Sequence, residues 1–77
     1  NEAQVYPNPT NGIITLIFNG SLENTTYRIL DVTGRIVKSS TEITTKKTTI
    51  SFDEVNGIYY LEVTAQGAVS RTKLIKN

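Results

Sequence analysis

Between Tyr59 and Val63, apolar side chains recur at every second position. Residues that interrupt strands close the run at both ends. Gly57 precedes Ile58-Tyr59-Tyr60-Leu61-Glu62-Val63-Thr64, and Gln66-Gly67 follows it. Tyr59, Leu61 and Val63 share one face, while Glu62 and Thr64 lie on the other. A two-residue period built from β-branched and aromatic residues describes a half-buried strand. It predicts a central strand around which the other segments pack.

The same grammar recurs along the chain. Val5-Tyr6 is a short apolar opening after a polar lead-in over residues 1–4. Pro7-Asn8-Pro9-Thr10-Asn11-Gly12 follows. Its prolines forbid a central strand, and Asn11-Gly12 supplies a turn with positive φ. Residues 13–18 alternate with Ile14, Leu16 and Phe18 inward. Residues 26–32 place Tyr27 and Ile29 on one face and Leu30 and Val32 on the other. Asp31-Val32-Thr33-Gly34 is a tight turn, with Asp31 bonding backbone N–H groups ahead of it and Gly34 left-handed. Residues 35–40 return with Val37 inward. Residues 41–47 are polar, with Ile43 as the one packing candidate and Lys46-Lys47 as a solvated turn. Residues 48–52 carry Ile50 and Phe52 inward, and Val55 is expected to plug the core from the loop before Gly57. Residues 69–76 form the last strand.

Twelve Thr, nine Ile and six Val favour strands over helices, and no helical period occurs. About seven short strands with turn signals between them predict an all-β fold. The architecture expected is an antiparallel, immunoglobulin-like β-sandwich comprising one domain over residues 1–77. The Cys–Trp–Cys core of antibody domains is absent. A core this small rarely nets more than about 3–5 kcal/mol of stability. Gln66-Gly67 reads as a two-residue hairpin loop. That register pairs Ala65 with Ala68, Glu62 with Arg71, Tyr60 with Lys73 and Tyr59 with Leu74. It buries Leu74 and sets a lysine beside the Tyr60 ring.

The composition excludes much chemistry. The chain has no His and no Cys, so neither a Ser-His-Asp nor a Cys-His site can be built. No catalytic residue, metal ligand or cofactor-binding residue is assigned, and no cofactor is expected. Of the seven carboxylates only Asp53 and Glu54 are neighbours. With Asn56 they lack the alternating spacing of a calcium loop and read as solvated acids. A net charge of +1 provides no general attraction for nucleic acid or membrane. No stretch approaches the roughly 18 apolar residues of a spanning helix. Four tyrosines could make a sugar-stacking platform, but Tyr59 and Tyr27 fall on core faces. Tyr6 is expected to pack under the proline loop, which leaves only Tyr60 exposed.

Three stretches, taken together and in order, resemble a known family. They are Val5-Tyr6-Pro7-Asn8-Pro9-Thr10-Asn11-Gly12, Leu30-Asp31-Val32-Thr33-Gly34-Arg35-Ile36-Val37, and Val55-Asn56-Gly57-Ile58-Tyr59-Tyr60-Leu61-Glu62-Val63. The chain then closes on Lys73-Leu74-Ile75-Lys76-Asn77. This pattern is similar to the type A C-terminal sorting domain of the type IX secretion system of Bacteroidetes. Val55 stands where the family often has Leu, and Asn56 where it often has Pro or Ala.

The resemblance implies a β-sandwich that is a secretion signal and not an enzyme. The expected partners are the outer-membrane machinery and its sortase-like peptidase, with no nucleic acid and no small-molecule substrate. It implies a monomeric domain cut from a larger exported protein. The cargo would be in the periplasm in transit and then at the outer membrane, cell surface or outside the cell. Cleavage is expected at or before residues 1–4. The competing readings are a fibronectin-like spacer and a carbohydrate-binding module of a secreted enzyme. Under the sorting reading, the residues expected to meet the machinery are Ile58, Tyr60, Lys73, Ile75 and Lys76 on the final hairpin. Asn8, Pro9, Asn11, Gly12, Asp31, Gly34 and Gly57 are expected to form turns.

Overall fold

The structure, a computed structural model, describes residues 2–77. Seven strands follow one another: β1 Glu2–Tyr6, β2 Ile13–Asn19, β3 Thr25–Asp31, β4 Ile36–Ser39, β5 Lys47–Ser51, β6 Gly57–Ala65 and β7 Ala68–Lys76. They form two antiparallel sheets, one ordered β1-β2-β5 and the other β4-β3-β6-β7. This is the expected immunoglobulin-like sandwich, with the fourth strand beside β3. The constant-type immunoglobulin arrangement instead sets that strand with the first, second and fifth.

Alternation selects the inner faces. Ile14, Leu16, Phe18 and Ile50 come from the three-stranded sheet, and Tyr27, Ile29, Tyr59, Leu61, Val63 and Leu74 from the four-stranded one. Ile43 and Phe52 complete this cluster from the loops flanking β5. Phe52 and Tyr59 meet edge to face with ring centroids 5.4 Å apart, a favoured aromatic geometry. Burial pushes the Tyr59 hydroxyl pKa up. That hydroxyl donates to the Val55 carbonyl at 2.5 Å, the same device as the tyrosine corner at the start of the sixth strand in immunoglobulin folds.

Several expectations need correction. Val55 does not plug the core; it is 80% exposed. Its carbonyl turns inward to accept the buried Tyr59 hydroxyl, and its side chain therefore points out. Val37 packs only against the rim of the core. Tyr6 is exposed and Tyr60 is half-buried, the reverse of the expected order. The polar lead-in is a strand from Glu2 onward, pairing with β2, because a strand needs backbone partners more than apolar side chains. Asn1, and any cleavage point at it, lies outside the described residues.

The proline segment crosses between the two sheets. Thr10 leaves the β1 side and forms a parallel bridge with Lys76. Its N–H donates to the Ile75 carbonyl at 2.8 Å, and its carbonyl accepts from Asn77 N–H at 2.9 Å. Pro7 and Pro9 have no N–H to contribute to a ladder. The Asn8 side-chain amide takes that role. Its Nδ2 donates to the Lys73 carbonyl at 2.8 Å, and its Oδ1 accepts from Ile75 N–H at 3.0 Å. Asn8 was expected to form a turn; here it ties the start of the domain to its last strand.

Candidate functional site

The outer face of the four-stranded sheet carries the residues singled out from the final hairpin. Gln66-Gly67 is the two-residue loop, and β6 and β7 pair in the expected register from Ala65 and Ala68 to Gly57 and Lys76. Directly opposed residues of an antiparallel pair point to the same face. Ile58 therefore stands beside Ile75, and Tyr60 beside Lys73. Ile58 and Ile75 are about two-fifths exposed, at 40% and 39%. Lys76 does not join them. It is one position out of phase and turns to the other side, where its Nζ donates to Asn56 Oδ1 at 3.3 Å.

The rows continue across β3 and β4, which periodicity in single strands could not reveal. Leu30 pairs with Tyr60 on one side and with Ile36 on the other. Leu30 is buried although it faces outward, and Ile36 is exposed. The adjacent row is Arg28–Glu62–Arg71. Arg28 Nε lies 2.6 Å from Glu62 Oε1, and Arg71 grips Oε2. Arg71 and Arg28 hold the Glu62 carboxyl below the usual carboxylate range. Arg71 also lies over the Tyr60 ring, 5.5 Å from its centroid. The cation on that ring is thus Arg71 and not the expected Lys73, since a long side chain reaches its diagonal neighbour.

One end of this face is bounded by the β3–β4 turn. Asp31 Oδ1 accepts from the Thr33 hydroxyl and from the N–H groups of Thr33 and Arg35. These bonds, the Thr33 hydroxyl first, lower the Asp31 pKa to about 2. Arg35 bridges Asp31 to Glu54, fastening this turn to the loop before β6. Gly34 has a φ of 89° in open space. Gly34→Val should therefore be clearly less stable than Gly34→Asn, because a β-branched residue disfavours that conformation and Asn tolerates it. Equal denaturant midpoints for the two variants would contradict this. Of the other turn residues, Asn11 Oδ1 accepts from Ile13 N–H at 3.3 Å. Gly12 is buried at a φ of 118°. Pro9 lies between the clamp residues Asn8 and Thr10, and Gly57 opens β6.

Among the described residues no group of three or more His, Cys, Asp or Glu is placed to hold a metal ion. The surface offers an aromatic ring, flanking aliphatics and cations on one face of a sheet. That chemistry suits recognition of another macromolecule. The sequence profile of the secretion system C-terminal sorting domain matches residues 4–77. No curated protein matches the chain.

Proposed function

The chain belongs to the secretion system C-terminal sorting domain family, and from that premise we propose that the outer face of β6 and β7 is the surface on which its address is read. The family consists of C-terminal signals for type IX secretion, which is a sorting role and not a catalytic one. Such a signal directs export to the outer membrane or cell surface. One observation carries the surface assignment. The register sets Ile58 beside Ile75 and Tyr60 beside Lys73, all on one face that the sandwich does not cover. A signal shared by unrelated cargoes must lie on the domain itself, and this is its exposed face of mixed aromatic, aliphatic and cationic character.

In this reading the domain, residues 1–77, is one unit at the end of a larger exported protein and acts as a monomer. Its cargo passes through the periplasm and is brought by the outer-membrane machinery to the surface. The sortase-like peptidase of that machinery then removes the domain and attaches the cargo to the cell surface. A reporter fused to the chain, in a bacterium with type IX secretion, tests the surface assignment. The double variant Tyr60→Ala with Lys73→Ala should keep the circular dichroism of the parent yet leave the reporter in the periplasm. Export of the folded double variant at the parental rate would place the address elsewhere.

A further inference from the structure

A sheet edge presents unpaired N–H and C=O groups, and folded proteins normally blunt it with short strands, bulges, prolines or inward charges. Three of the four edges here are blunted. β1 is five residues long and runs into Pro7. β4 is four residues long beside a register shift, and its Lys38 reaches across to the Ser51 carbonyl of the other sheet. β5 is five residues long and begins at Lys47, next to Lys46. β7 differs: it has nine residues, no proline and an unbroken register with β6.

Asn8 and Thr10 cover only the last part of this edge, from the Lys73 carbonyl to Asn77. By alternation, the backbone groups of Val69 and Arg71 and the N–H of Lys73 point the same way as those of Ile75. Among the described residues, no strand lies against them. At the Val69–Ser70 end of this open stretch lies a cleft between the sheets of about 260 Å³, lined by Ala3, Phe18, Val63, Ala68, Val69 and Ser70. The outward row along the edge bears Arg71 and Lys73, both exposed.

We propose that the open edge of β7, residues 69–73, accepts an extended acidic strand from a partner protein. Backbone bonds to Val69, Arg71 and Lys73 would hold the strand, as in other cases of β-strand addition. Carboxylates at alternate positions would face Arg71 and Lys73. The intervening small apolar side chains would enter the cleft above Phe18 and Val63. Charge selects this occupant over a second copy of the chain. Two β7 edges side by side would oppose Arg71 and Lys73 with Arg71 and Lys73, and like charges across a ladder are destabilising. The proposal concerns the edge and the cleft, and it stands or falls separately from the reading of the outer face.

The test uses the 77-residue chain and a capped peptide in which Glu alternates with Val, followed by NMR. Expected are shifts and slowed hydrogen exchange at the Val69, Arg71 and Lys73 amides. The same peptide with Lys in place of Glu should bind about tenfold more weakly or worse. Val69→Pro removes one outward N–H while leaving the bonds to β6 intact, as edge prolines do. That variant should keep the parental melting curve and lose the peptide. No response at these amides, a response mapping instead to Ile58 and Tyr60, or equal binding by Val69→Pro would each overturn the proposal. So would self-association of the chain through β7.

Discussion

Leu61→Ala is expected to unfold most molecules at room temperature. Leu61 is 1% exposed in the middle of β6, hydrogen-bonded on both sides between β3 and β7. Neither neighbouring strand can move inward to fill the space without breaking its ladder. A Leu→Ala truncation in such a site costs about 2–5 kcal/mol. A core of this size rarely supplies more than about 3–5 kcal/mol of net stability. Val55→Ala is the matched control. The sequence assigned Val55 to the core, but its side chain stands in solvent, so its loss should fall within about 0.5 kcal/mol of zero. Urea melts of the two variants decide the point. A Leu61 variant within about 0.5 kcal/mol of the parent, or a Val55 variant as unstable as Leu61→Ala, would contradict this packing.

Gly12→Ala should be more damaging than the same change at Gly34, Gly57 or Gly67. Gly12 has a φ of 118°, where side chains are strained by about 1–3 kcal/mol. A Cβ there would also lie 3.0 Å from Lys76 Cε and 3.1 Å from the Phe52 carbonyl oxygen. The lysine can swing away, but the carbonyl belongs to the backbone beside a core aromatic. The glycine cannot shift easily either. Its N–H donates to Thr10 Oγ1, and its carbonyl accepts from Phe52 N–H. Gly34→Ala meets only the conformational cost, since its Cβ would enter open space. Gly12→Ala should therefore lower the denaturation midpoint more than Gly34→Ala. Equal losses would show that the contact with Phe52 has no weight.

The outer-face residues were legible to different degrees. The pairs Ile58–Ile75 and Tyr60–Lys73 followed from the Gln66-Gly67 loop, because a two-residue loop sets the register of everything after it. Lys76 was misplaced although the same alternation excludes it from that face. Leu30, Ile36 and Arg28 were missed because they arrive from β3 and β4, whose position beside β6 is a matter of topology. No local pattern in β3 announces that Arg28 will stand against Glu62.

The sequence by itself determined most of the strands from β2 to β7 and most of their inward residues, the hairpin register, the Asp31–Gly34 turn and the family. Each of these rests on short-range chemistry: a two-residue period, a residue able to adopt positive φ, or an ordered set of motifs. Tertiary structure alone decided that Val55 faces out, that Glu62 is enclosed by two arginines, and that Asn8 clasps β7. Those outcomes depend on which strands lie side by side and on which donors and acceptors the topology brings together. A buried hydroxyl or a buried backbone group must find a partner, and where that partner comes from is settled only once the two sheets have closed.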